Sequence, residues 1–129
     1  MKKLFITLCL ILLASTCHAA AWVDVTNGEF GAMGIDTDSI LHYECKAGLC
    51  TAGKYGWESV DKTMGIVRLV YIIDETLEYN IVKEWEYKNG VLIATRTPPA
   101  KLQKMKRGTD GEKIIKTIVN WNTGAEPKQ

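Results

Sequence analysis

From residue 77 to residue 87 apolar and polar side chains alternate almost without a break, and no other stretch limits the fold of this chain so much. Leu77, Tyr79, Ile81, Trp85 and Tyr87 hold the odd positions, with Lys83 the exception. Glu78, Asn80, Glu84 and Glu86 hold the even ones, with Val82 the exception. Successive side chains of a strand point to opposite faces, so the pattern predicts a half-buried strand with one wet, acidic face. A helix would turn Glu84 away from Glu78 and Glu86. Asn89 and Gly90 follow, and both tolerate the positive φ that a tight hairpin turn needs. Residues 91–97 return as the partner strand. Pro98 and Pro99 end it, because proline has no N–H to give a ladder.

The rest of the chain fits around that hairpin. Residues 66–73 are apolar on both faces and rich in β-branched side chains, which predicts a central strand covered above and below. Trp22 opens a short first strand over residues 22–25, and Asn27 with Gly28 signals a turn. Residues 30–35 read as a second strand weakened by Gly31 and Gly34. Asp36, Thr37, Asp38 and Ser39 read as a polar turn, since Asp and Ser side chains accept from nearby backbone N–H groups. Residues 40–45 and 50–57 flank the four-residue loop 46–49 as a hairpin, with Gly53 and Gly56 marking a bulge in its second arm.

The last element is helical. Thr109 stands three residues before Glu112, the spacing of a capping box. Ile114, Ile115, Ile118 and Val119 then form one apolar stripe, and Gly124 and Pro127 stop the helix. The stripe needs a surface to cover, and one sheet face supplies it. The fold class is therefore α+β: an antiparallel sheet of about five to seven strands with one C-terminal amphipathic helix packed on a face.

The N-terminus reads as an export signal. Lys2 and Lys3 precede an apolar run over residues 4–14, and small residues end in Ala19, Ala20 and Ala21, an A-x-A cleavage pattern. The run is too short for the roughly twenty residues of a membrane-spanning helix. Residues 1–21 are taken as a removed signal peptide cut after Ala21 or Ala19, residues 22–122 as a single α+β domain, and residues 123–129 as a loose tail. Lipidation at Cys17 is the rival reading, but Ala14 and Thr16 match a lipid-attachment box poorly. The layout places the protein outside a bacterial cytoplasm: periplasmic, cell-surface or secreted.

Export changes the arithmetic. Only Cys45 and Cys50 remain in the mature chain, and an isolated pair in an oxidising compartment predicts a disulfide. Redox chemistry and a zinc site are the alternatives; the first favours C-x-x-C, and the second lacks ligands, with His42 the single mature histidine. Loss of Lys2 and Lys3 takes the formal charge from +1 to −1, which gives no reason to expect nucleic acid.

The residues offer little catalytic equipment. No nucleotide loop or H-E-x-x-H stands in the chain, and His42 lies in a strand, structural or exposed. Asp36 and Asp38 could meet Asp24 around calcium, but a plain turn is the simpler reading. The remaining enzyme route is a hydrolase built on Glu78, Glu84 and Glu86, which would need a concave pocket at that strand face. No cofactor, metal or catalytic set is assigned. The best partner site is the basic run Lys101, Lys104, Lys106 and Arg107, able to attract a polyanion or an acidic protein face.

Two segments carry a family likeness. Gly34, Ile35, Asp36, Thr37, Asp38, Ser39 and Ile40 contain a D-x-x-S-I turn, and Gly108 to Ile115 read G-T-D-G-E-K-I-I at the helix entry. With the export signal and the Trp-led first strand, the layout resembles the bacterial surface-adhesin protein E family. Many relatives in that family carry a cysteine near the end of the last helix and another after the central strand; here Asn120 and the Asp74, Glu75 region stand there. The resemblance implies adhesion to host proteins; together with the export signal and the missing catalytic set it points to an exported, non-enzymatic, adhesin-like binding module with an extracellular or envelope partner. The alternatives are an inhibitor of an extracellular hydrolase of the lysozyme type, with loop 46–49 as the plug, and a structural envelope protein. A strand edge or the helix could support a homodimer.

Overall fold

The computed structural model describes residues 21–122. The tail 123–129 and all of the expected leader except Ala21 lie outside the described residues. Six strands, β1 (Trp22–Gly28), β2 (Gly31–Cys45), β3 (Gly48–Glu58), β4 (Met64–Ile73), β5 (Tyr79–Lys88) and β6 (Val91–Arg96), precede one helix, α1 (Asp110–Val119). Each strand pairs antiparallel with its predecessor, so sheet order follows chain order from β1 to β6. The α+β class, the antiparallel sheet and the single C-terminal helix agree with the sequence pattern.

Four details differ, each for a local reason. The polar stretch 36–39 does not break the chain into two strands; β2 runs through it. The β2–β3 register slips between Asp36 and Leu41, and side chains fill the gap. Asp36 Oδ1 accepts from the N–H groups of Ala21 and Asp38, both at 3.1 Å. Ser39 donates to the Asp36 carbonyl at 2.6 Å and accepts from the Lys54 N–H at 2.7 Å. The side chains expected to close a turn instead satisfy a bulge. The first turn comes at Glu29 and Phe30, after the expected Asn27 and Gly28. The second hairpin turn is two residues, Lys46 and Ala47, because Gly48 takes φ +113 and starts β3.

The fourth difference matters most for function. Leu69 faces Lys83 and Val70 faces Ile81, so Val82 is an extra residue on β5. One added residue inverts the facing of everything beyond it. Tyr79 and Ile81 share a face with Val70 and Ile72, whereas Trp85 and Tyr87 emerge on the opposite face. The alternation in the sequence is broken only at Val82 and Lys83, where this reversal takes place.

The core forms between α1 and one face of the sheet. Ile114, Ile115 and Ile118 of α1 pack with Ile35, Ile40, Val70 and Ile72, all buried. The helix lies over β1, β2 and β3. Gly53 sets its depth, since a Cβ there would come within 3.2 Å of both Ile118 and Ile40. Thr109 caps the helix by accepting from the Glu112 N–H at 3.2 Å, and Glu112 accepts from the Gly108 N–H at 3.0 Å. This is the expected capping pair with its return arm moved one residue outward. Gln103 and Tyr79 exchange backbone hydrogen bonds, tying the connection before α1 to the start of β5.

Candidate functional site: the open sheet face

The strand register assigns every side chain to a face. The helix-side face carries the row Val23, Ile35, Tyr55, Arg68, Glu84 and Arg96. The opposite face carries Trp22, Asp36, Lys54, Leu69 and Lys83 in one row. Asp24, Gly34, Gly56, Val67 and Trp85 form the next. Ala32, Glu58, Gly65 and Tyr87 form the third. No helix lies on this second face among the described residues. The expectation that residues 66–73 are covered on both sides is thus corrected. Val70 and Ile72 are buried under the helix side, while Val67, Leu69 and Tyr71 are half-exposed on the open side.

Gly34 and Gly56 face each other across β2 and β3, so the middle row lacks side chains at its centre. The result is a groove of about 420 Å³, lined by Trp22, Asp24, Glu58, Lys62, Val67 and Tyr87 among others. Trp22 leans into the space: a Cβ on Gly56 would lie 3.3 Å from its ring carbons Cη2 and Cζ3. The indole still keeps 46% of its surface exposed. Asp24, Glu58 and Lys62 make no ion pair among the described residues. At the neighbouring turn Asp61 accepts from the Thr63 hydroxyl and N–H and from the Ser59 hydroxyl, which hold its carboxyl below the usual carboxylate range.

Further along this face, Lys54 and Lys83 place their ammonium groups 5.0 and 5.6 Å from the centroid of the same Trp85 ring. Both contacts are within cation–π range. Neither lysine has a carboxylate partner at ion-pair distance among the described residues. The far end is closed by the expected Cys45–Cys50 disulfide, with the Tyr71 hydroxyl 3.4 Å from Cys50 Sγ. Burial, with Tyr71 and Asp74 nearby, pushes the Tyr43 hydroxyl above its ordinary value. At the groove end, three turns meet and expose Phe30, Val60 and Val91 by 79%, 65% and 63%. The Asn89 N–H donates to the Thr63 carbonyl at 2.7 Å and joins two of them.

The glutamates stand elsewhere than their spacing suggests. Glu84 and Glu86 lie on the helix-side face, beyond the helix, and are not a wet row. Glu84 accepts from Arg68 Nε at 2.7 Å and Arg96 at 2.9 Å, and Arg96 also pairs with Glu86. Arg68 first and Arg96 second hold the Glu84 carboxyl below its ordinary value, against the effect of burial. Glu78 precedes β5 and bonds to Thr76, apart from that network. The hydrolase reading therefore loses its shared carboxylate face.

The basic run is split. Lys104 and Arg107 border a second depression of about 730 Å³ with Lys116, Glu78 and Glu112, while Lys101 and Lys106 are exposed outside its lining. His42 sits with Nδ1 3.0 Å from Thr51 Oγ1 and Nε2 2.8 Å from the Trp121 carbonyl, and Thr51 donates to Asp74 at 2.7 Å. Since a carbonyl only accepts, Nε2 carries hydrogen and ties the chain after α1 to β2. Among the described residues no three or more of His, Cys, Asp and Glu gather to hold a metal ion. No helix among them is long and apolar enough to cross a membrane. Comparison with family models, with curated proteins and with solved structures finds no match for this chain.

Sequence reasoning missed Lys54, Lys83 and the paired glycines as site residues. Gly56 drew notice as a bulge marker. Its register opposite Gly34, which makes the groove, depends on the slip within β2.

Proposed function

We propose that this is an exported, non-enzymatic binding module whose recognition surface is the open face of its sheet. One observation carries the reading: β4 is apolar on both sides, yet one side alone is covered among the described residues. Val67, Leu69 and Tyr71 stand half-exposed in continuity with Trp22, Trp85 and Tyr87. Contiguous apolar surface of this kind marks interaction sites in proteins of this size. The export signal read from residues 1–21 and the resemblance to the surface-adhesin protein E family support the same conclusion and suggest an envelope or host partner. A double variant, Val67→Glu with Leu69→Glu, tests it. Captured on immobilised host matrix proteins and on native envelope extract, it should lose at least tenfold in retention, while replacing Lys101, Lys104, Lys106 and Arg107 together by Gln should change little. The opposite ranking would move the surface to the basic run.

A second reading rests on the disulfide hairpin. Leu49 is 62% exposed beside Cys50, and its carbonyl accepts from the Asp74 N–H at 3.0 Å, so the tip is held at both sides. A pre-ordered tip loses little entropy on docking, which suits an inhibitor of an extracellular hydrolase. Lysozyme inhibition that disappears with reductant would favour this role.

A further inference from the structure

We propose that the open face takes an acidic oligosaccharide, with a sugar ring in the glycine groove beside Trp22 and its carboxylate or sulfate at Lys54 and Lys83. The inference rests on the open-face reading above and names the chemistry of its ligand. It starts from the two ammonium groups on the Trp85 ring, at 5.0 and 5.6 Å. An aromatic ring attracts cations through its quadrupole but does not neutralise them, so the site retains two positive charges. The nearest acidic position in the register is Asp36, directly opposite Lys54. Its Oδ1 is already held by the N–H groups of Ala21 and Asp38, and it forms no ion pair with Lys54. An anion lying between Lys54 and Lys83 would complete what the protein leaves open.

The adjoining groove narrows the class. Its volume of about 420 Å³ falls within the range of small-ligand sites. A sugar ring has apolar C–H faces and hydroxylated edges. The groove offers the complement: the half-exposed indole of Trp22 and the ring of Tyr87, with Asp24, Glu58 and Lys62, unpaired among the described residues, at its border. The two carboxylates repel a densely sulfated chain. They accept hydroxyl hydrogens, whereas the lysine ammonium groups donate to the acid group. The face thus selects a saccharide with sparse negative charge, such as one uronate per disaccharide.

Three hexasaccharides serve as probes: a uronate-containing chain with one carboxylate per disaccharide, a neutral N-acetylglucosamine chain, and a heparin fragment. Binding is read by tryptophan fluorescence and by calorimetry at two salt concentrations. The uronate chain should bind at least tenfold more tightly than the neutral one and more tightly than the heparin fragment. Lys54→Gln with Lys83→Gln should remove that preference and flatten the salt dependence, and Trp22→Ala should weaken all binding, with unchanged thermal melts. Replacing Lys101, Lys104, Lys106 and Arg107 by Gln should leave binding as it was. Equal affinity for the neutral chain, a preference for heparin, or no saccharide binding would overturn the inference. If no saccharide binds but the Val67→Glu, Leu69→Glu variant still loses its partner, the open-face reading survives alone. If only the basic-run variant loses saccharide binding, both fail.

Discussion

The two faces of one sheet solve opposite problems. On the helix side, isoleucines from α1 interlock with Ile35, Ile40, Val70 and Ile72. Beyond the helix, at Arg68 of β4 and on β5 and β6, the charges pair with one another through Arg68, Glu84, Arg96 and Glu86. On the open side, aromatic rings stay part-exposed, glycines leave a groove, and lysines crowd one ring without a carboxylate partner among the described residues. A face that only has to be stable hides its apolar surface and satisfies its charges. A face that leaves both undone is available for something else.

That contrast breaks if stability depends equally on both faces. Ile118→Ala, which empties the space above Gly53, should cost about 2–5 kcal/mol in urea unfolding. Leu69→Ser on the open face should cost less than about 1 kcal/mol, because its side chain is half-solvated already. Similar losses for the two would deny the asymmetry. Next in size, reduction or Cys45→Ser with Cys50→Ser should remove about 2 kcal/mol, the loop-closure value for so short a ring.

The charge network sharpens the comparison through pH. Arg68 and Arg96 hold the folded Glu84 carboxyl below its unfolded value of about 4.3, so the network contributes stability above that value. The contribution is lost as pH falls through the lower folded value. Glu84→Gln should therefore be less stable by about 1 kcal/mol at pH 7, and in a series of urea midpoints the gap should narrow as pH falls below the unfolded value and close below the folded one. A constant gap down to pH 2 would mean that packing, not charge, accounts for it.

A smaller effect concerns the start of the chain. Ala21 N–H bonds to buried Asp36, and its carbonyl accepts from the Thr37 N–H at 2.9 Å and hydroxyl at 3.1 Å. A chain beginning at Ala20 keeps these bonds and one beginning at Trp22 loses them. The longer form should be more stable by roughly 1 kcal/mol, and if the expected leader is removed, the intact mass of the mature chain should correspond to it.

What could be read in advance follows the same division. The helix stripe, its cap, the hairpin at Asn89 and Gly90, and the local disulfide are encoded within a few residues of one another, so spacing exposes them. The open face is assembled from register. Val82 reads as a lone apolar exception on the polar side of an alternating run, yet as the extra residue of a bulge it carries Trp85 and Tyr87 to one side and Glu84 and Glu86 to the other. Asp36 and Ser39 likewise read as a turn because their local hydrogen bonds are those of a turn. Only the strand across, through the Lys54 N–H, distinguishes a bulge from a break. The doubly apolar β4 is visible in the sequence, but which of its sides the helix covers is decided by the register.

Site-specific photo-crosslinking in the native envelope tests the central claim most directly. A photoreactive residue is placed at Val67 in one variant and at exposed Lys113 of α1 in another. Covalent adducts from position 67 and none from position 113 are predicted, with mass spectrometry separating a second copy of this chain from another molecule. Adducts from position 113 alone, or a bare position 67 in every growth condition, would contradict it.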